Sequence, residues 1–304
     1  MNLLSAAAKV SSLTMLSRIT GLLRETLIAR SFGASDWTDA FNVAFRLPNL
    51  LRRLFAEGAF SQAFVPILGE ISTNEDQNKA KILINAVGTL LFWALLLTVL
   101  AGVIGAPLLI LVIATGFSGG PAYDASVVMT RIMFPYIGLI SMVSLSAGIL
   151  NTYHRFAIPA FTPVLLNLAL IGSAIFLAPH LEQPIYALSI GVLLGGVLQL
   201  AIQVPSLARL GLLPRIGLMP GAIKSAFNNP DARRVLKLMG PAVFAVSVAQ
   251  ISLIINTNIA SRLQAGSVSW LSYADRLMEF PTALLGVALG TVLLPSLSKA
   301  NAKN

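Results

Sequence analysis

Four successive stretches in the middle of this sequence hold no Asp, Glu, Lys or Arg, at 82–115, 132–153, 156–178 and 183–208, and two later ones, 238–261 and 280–298, are equally free of charge. Each reaches the roughly 20 apolar residues a helix needs to cross the hydrocarbon core of a bilayer. Turn chemistry separates the first four, at Gly116–Pro121, Asn151–Pro159 and Pro179–Pro184. Composition agrees: 11% of the 304 residues are charged and 56% are hydrophobic, against about 25% charged in an ordinary soluble domain. So few charges could not cover a soluble globule of this size. The solvent for most of the chain is lipid.

Two further hairpins are apolar but carry charges. The first pairs 8–31 with 38–67 around Phe32-Gly33-Ala34-Ser35-Asp36, and the last pairs 238–262 with 268–298. The count is eight transmembrane helices in an all-α polytopic membrane protein. The N-terminus lacks a basic stretch before its apolar run, so it reads as a retained first span rather than a cleaved signal. Net charge is +9, from 21 basic and 12 acidic residues. With the N-terminus cytoplasmic, the inner loops collect most of the excess, from Lys9, Lys79, Lys81 and Arg155 through Arg209, Arg215, Lys224, Arg233, Arg234 and Lys237 to Lys299 and Lys303. The outer ends hold little beyond Arg30, Arg131 and Arg262. That bias orients the chain.

The two charged hairpins look related. Phe45-Arg46-Leu47 aligns with Asp275-Arg276-Leu277, and Ala63-Phe-Val-Pro66 with Val292-Leu-Leu-Pro295, about 230 residues apart. Same-direction repeats six spans apart are a transporter pattern. The expected organisation is a first six-helix lobe at 1–208 and a basic cytoplasmic linker at 209–236. The first hairpin of a second, truncated lobe follows at 237–304.

Charges at membrane depth mark function by default, because each costs about 2.5–3.5 kcal/mol on insertion scales. The first hairpin carries Arg18, Arg24, Glu25, Asp39, Arg46, Arg52, Arg53 and Glu57. Helical spacing puts Ser17, Gly21 and Arg24 on one stripe, Arg18 and Glu25 on another, and Arg46, Arg53 and Glu57 on a third. Pro48 weakens the second helix just before the arginine pair. The last hairpin adds Asp275, Arg276 and Glu279. Arginine exceeds acid, which suggests an anionic guest, and a guanidinium suits bidentate phosphate binding without losing its charge. Two blander readings stay open. Arg46, Arg52 and Arg53 could snorkel to the inner interface, and the others could form a self-satisfied ion network. Asn167, Gln199, Gln203, Gln250, Asn256 and Asn258 lie in apolar spans and read as interhelical hydrogen-bonders.

The chain has no cysteine, so a thiolate site or nucleophile is excluded. No phosphate-binding glycine loop or His/acid metal set is present, which argues against an ATP-driven pump. A cation exporter would need a net acidic cavity, and a polyprenyl-phosphate enzyme would need a metal-binding acidic cluster or a catalytic acid/base near an interface, of which Asp275 and Glu279 are a poor version.

Longer runs carry a resemblance. Asp39-Ala-Phe-Asn-Val-Ala-Phe-Arg-Leu-Pro-Asn-Leu-Leu-Arg-Arg-Leu-Phe-Ala-Glu-Gly-Ala-Phe-Ser-Gln-Ala-Phe-Val-Pro66 resembles the MurJ (MviN) family of bacterial lipid II flippases. So do Ser17-Arg18-Ile-Thr-Gly21-Leu-Leu-Arg24, Ile149–Ala160 and Tyr273–Pro281. The resemblance implies a MATE-like transporter fold of two six-helix lobes around a central cavity, with this chain ending after its eighth span. It implies flipping of undecaprenyl-pyrophosphate-linked peptidoglycan precursor to the outer leaflet of the bacterial inner membrane. Ser17, Arg18, Arg24, Asp39, Arg52 and Arg276 carry over from the family pattern. The expected substrate-binding residues are Arg18, Arg24, Arg52 and Arg276. Ser17, Glu25, Asp39, Arg53, Glu57, Asp275 and Glu279 are the expected gating or supporting residues. Lipid II, membrane lipids and cell-wall synthesis proteins are the expected partners, and nucleic acid is not. No catalytic residue, cofactor or metal is expected, and no site for a coupling monovalent cation is identifiable. The alternative is a related exporter of another polyprenyl-linked oligosaccharide or of drugs.

Overall fold

The computed structural model describes residues 3–52, 59–73 and 76–278. All regular structure among them is helical. Helix α1 spans Leu3–Phe32, α2 Asp36–Arg52, α3 Ala59–Thr73, α4 Gln77–Ile104 and α5 Ala106–Ile113. Next come α6 at Pro121–Met133, α7 at Tyr136–Thr152 and α8 at Ala157–Gly172. One π turn, Ser173–Leu177, and one 3-10 turn, Ala178–His180, prolong α8. Then follow α9 at Tyr186–Leu210, α10 at Pro220–Asn228, α11 at Pro230–Ala260 and α12 at 267–278.

Four helical segments among the described residues are long and apolar enough to cross a membrane: Gln77–Ile104, Pro121–Thr152, Ala157–His180 and Tyr186–Leu210. They match the four successive charge-free stretches between 82 and 208, with corrected ends. The run 82–115 is not one helix. It breaks at Gly105, and Pro107 lies in the first turn of α5, where its missing N–H costs nothing. The span expected at 132–153 begins earlier, at Pro121. Asp124 suits the positive start of α6, and Arg131 at its end donates to the Val103 carbonyl at 3.2 Å. Helix α11 starts eight residues before the expected 238, because Asn229 caps it by accepting from the Ala232 N–H at 2.9 Å. The run 38–67 is helical in α2 and α3, and residues 53–58 between them are outside those described.

Packing runs α1 on α8, α8 on α9, α9 on α7, α7 on α3, and α3 on α11, while α2 lies on α6. Small residues permit the closest approaches. A Cβ on Gly195 would sit 2.6 Å from Leu166, and one on Gly196 2.7 Å from the Tyr136 ring. Large apolar side chains such as Leu97, Ile104, Leu108 and Phe176 are exposed, as a lipid-facing surface requires. Amides in these spans, the buried Gln199 and Gln203 and the partly exposed Asn258, bridge helices as their sequence positions suggested. Gln199 donates to the Thr162 carbonyl at 3.0 Å, Gln203 to the Val143 carbonyl at 3.3 Å, and Asn258 to the Val112 carbonyl at 2.9 Å.

Candidate functional site: a basic cavity between the first and last hairpins

The site forms where α2 meets α12. Gly33, with φ of +66°, turns α1 into α2, a conformation that costs glycine little. Asp39, one turn into α2, is 2% exposed. Its carboxylate accepts the N–H of Gly266 at 2.8 Å, the N–H of Ser269 at 2.7 Å and the Ser269 hydroxyl at 2.5 Å. A side chain from one helix therefore caps the N-terminus of another, satisfying orphan donors at the positive end of its dipole. Asp39, expected as a gating or supporting residue, thus faces donors at the start of α12.

The contact continues along both helices. Asn42 donates to the Ser269 hydroxyl at 3.2 Å, Arg46 Nη2 to the Ser272 hydroxyl at 3.4 Å, and Tyr273 Oη to the Gly33 carbonyl at 3.0 Å. The α2–α12 partners are 226, 227 and 230 residues apart, within about one helical turn of the repeat offset read in the sequence. The partners advance together, from Asp39 with Ser269 to Arg46 with Ser272, so the two helices run in the same direction.

Beside this contact lies a cavity of about 210 Å³. Its polar lining is Arg24, Glu25, Asn42, Arg46, Asn49, Gln250, Ser272, Asp275 and Arg276. Phe41, Phe45, Leu253 and Ile254 are among its apolar walls. Three guanidinium groups thus face two carboxylates. Arg24 is 8% exposed. Its Nη1 donates to Asn167 Oδ1 at 2.9 Å, and its Nη2 pairs with the Glu25 carboxylate. Asn167 in turn donates to the Ser17 carbonyl at 3.0 Å and the Thr20 hydroxyl at 3.1 Å. Arg24 is therefore aimed from α1 by an amide on α8. Arg276 Nε reaches the same Glu25 oxygen at 3.5 Å. One carboxylate is thus shared by two guanidiniums from different hairpins. Guanidinium groups brought together in this way have the chemistry to bind an oxyanion through paired N–H donors.

Of the residues singled out in the sequence, Arg24, Glu25, Asp275 and Arg276 converge on this cavity. Ser17 takes part through its backbone carbonyl, by way of Asn167. Arg18 is exposed on α1 and is not in the cavity wall. Arg52 ends α2, and its side chain, with Arg53, Glu57 and Glu279, lies outside the described residues. Arg46, Asn49 and Gln250 join the site without having been chosen for it. A signal for Arg46 existed: Asn42, Arg46 and Asn49 share a stripe at i, i+4 and i+7, and Arg46 is the repeat counterpart of Arg276.

Comparisons with known proteins bear on this geometry. The profile of the family described as "Lipid II flippase MurJ" matches residues 28–304. The "Lipid II flippase MurJ" of Burkholderia cenocepacia is 60% identical over 302 residues, covering 99% of this chain and 58% of the relative. The "Probable lipid II flippase MurJ" of Vibrio cholerae is 44% identical over 306 residues, covering 98% of this chain and 57% of the relative. A solved structure, "Lipid II flippase MurJ, inward closed conformation", superposes with a TM-score of 0.79 at 29% identity, covering 96% of this chain and 59% of that one. The chain thus spans a little under three fifths of the length of these relatives.

Proposed function

The chain belongs to the lipid II flippase MurJ family, and on that premise we propose that it supplies the substrate-binding half of a flippase. The substrate is lipid II, the undecaprenyl-pyrophosphate-linked peptidoglycan precursor, carried from the inner to the outer leaflet of the bacterial cytoplasmic membrane. The protein acts as a transporter rather than an enzyme. The proposed architecture has eight spans in this chain, a complete first lobe, the start of a second, and a cytoplasmic N-terminus.

The observation that carries the reading is the shared carboxylate. Arg24 and Arg276, on opposite hairpins, both contact Glu25 at the edge of one cavity. With no substrate bound, Glu25 screens two guanidiniums whose unpaired burial would be costly. A pyrophosphate offers more oxygens in better geometry, so it displaces the carboxylate and draws Arg24, Arg46 and Arg276 onto itself. Because these arginines come from α1, α2 and α12, ligand binding changes the contact between the hairpins. That coupling is what alternating access needs: the ligand must interact differently with the two states. Asp39 holds the other end of α12 against α2 and serves as a hinge contact. No covalent step is required. Moving charge across the membrane is worth about 2.3 kcal/mol per elementary charge per 100 mV, so the membrane potential can bias the cycle.

The test is rescue of cells depleted of their native flippase. This chain is expressed alone and fused to the C-terminal part of its Burkholderia relative, with outer-leaflet lipid II as the readout. The fused form restores flipping, and Arg24→Ala or Arg276→Ala in it abolishes rescue. Normal flipping in both variants would remove the arginine cavity from the mechanism.

A further inference from the structure

A second basic cavity, of about 180 Å³, lies far along the chain from the first, where α4 meets the segment after α9. Lys81, Ile84, Asn85, Leu212, Leu213 and Arg215 line it. Helix α9 ends at Gly211, with φ of +66°, and the chain then runs without helix along α4. Three hydrogen bonds hold it there, at α4 positions one turn apart. The Arg215 N–H donates to Asn85 Oδ1 at 2.7 Å, the Gly217 N–H to Thr89 Oγ1 at 2.9 Å, and Trp93 Nε1 to the Gly217 carbonyl at 3.0 Å. The Arg215 backbone is thereby fixed one helical turn from Lys81, across a pocket floored by the buried Ile84 and Leu212.

Two features of this site point to what it holds. Both cations are exposed, and among the described residues neither Lys81 nor Arg215 is paired with a carboxylate. The strap also displays Leu213, Leu218 and Met219 at 45%, 68% and 77% exposure. A preformed pocket with two free cations beside an exposed apolar edge matches one chemistry, a phosphate group attached to hydrocarbon. It also lies at the N-terminal end of α4, next to the Lys79–Lys81 cluster that marks a membrane surface. We propose that the Lys81–Arg215 cavity binds the phosphate of an anionic phospholipid whose acyl chains lie along Leu213, Leu218 and Met219. A free phosphate would satisfy the cations but leave the apolar edge without a role. This site is separate from the arginine cavity and does not rest on the flippase reading.

Trp93, bonded to the strap, is a reporter in place. Trp37→Phe and Trp270→Phe leave it as the sole tryptophan. The chain is reconstituted in phosphatidylcholine vesicles containing phosphatidylglycerol or phosphatidylcholine with brominated chains, and Trp93 quenching is measured. The relative binding constant for phosphatidylglycerol should be about fivefold or more, since one basic residue near the surface contributes about 1 kcal/mol. Lys81→Gln with Arg215→Gln brings the ratio to about one, while Lys81→Arg with Arg215→Lys preserves it. Lys224→Gln with Arg233→Gln, on other parts of the basic stretch, also leaves it in place. A ratio near one in the parent chain overturns the proposal. So does a ratio unmoved by the Gln pair, or an equal loss in the Lys224/Arg233 pair. Inorganic phosphate decides the source: loss of the preference with phosphate, but not with chloride of equal ionic strength, assigns the site to free phosphate and overturns the lipid reading.

Discussion

Replacing Asp39 with Asn tests the contact that joins the two hairpins. The wild-type carboxylate accepts three hydrogen bonds, from two backbone N–H groups and one hydroxyl at the start of α12. Asparagine keeps one oxygen and presents an NH2 to donors where the second oxygen was. At least one buried N–H then loses its acceptor, at a cost of about 1–3 kcal/mol. The negative charge facing the start of the α12 dipole disappears as well, worth up to about 2 kcal/mol in a partly buried geometry. Relief of carboxylate burial offsets part of this, leaving a net weakening of about 2–4 kcal/mol localised at α12. The assay is hydrogen–deuterium exchange of a peptide covering 264–272, read by mass spectrometry. Where local opening governs exchange, that weakening speeds it by roughly 30- to 1,000-fold, with peptides from α8 and α9 unchanged. Exchange within about threefold of wild type over 264–272 would refute the claim that Asp39 holds the helix.

Other perturbations follow from the same geometry. Asn167→Ala removes the acceptor from Arg24 Nη1 and a donor to Thr20. It should cost about 1–3 kcal/mol of stability and lower lipid II rescue, while Asn167→Gln should not restore either; thermal unfolding and the rescue assay check this. Gly196→Ala drives a methyl to 2.7 Å from the Tyr136 ring, so the unfolding midpoint should drop by the equivalent of about 1–3 kcal/mol. Gly172→Ala, whose Cβ would meet open space, should leave it within error. Glu25→Gln leaves Arg24 and Arg276 without their shared counter-charge. Anion binding should tighten while flipping slows, measurable as lower Kd together with lower rescue.

The legible parts of this chain were those governed by solvent. The runs at 82–115, 156–178 and 183–208 contain no charge, so their helical, membrane-crossing character followed from transfer energy alone. Their ends were less legible. The break at Gly105 and the early start at Pro121 depend on capping and on Arg131 reaching a carbonyl of α4, which no hydropathy pattern encodes. In the site, Arg24, Glu25 and Arg276 stood out because charges within apolar stretches are costly. Arg46 did not, since its nearness to Pro48 and the arginine pair left it equally compatible with an interface. Its place emerged only when α2 and α12 were seen in register. Asp39 was expected only as a gating or supporting residue; that its carboxylate meets the unsatisfied amides at the start of α12 depends on a contact 230 residues away in sequence. The strap at 211–219 reads in sequence as an ordinary basic loop, and its docking depends on Asn85, Thr89 and Trp93, which are unremarkable in an apolar helix.

The central claim is that Arg24, Arg46 and Arg276 together hold the pyrophosphate of the lipid substrate. It is tested by the affinity of lipid II for the chain fused to the C-terminal part of its Burkholderia relative, in nanodiscs of neutral lipid. Each of Arg24→Ala, Arg46→Ala and Arg276→Ala removes a charge-assisted contact worth about 1.5–3 kcal/mol, a roughly 10- to 150-fold rise in Kd. The exposed Arg18→Ala should change it far less. Unchanged affinity in all three cavity variants would contradict the account.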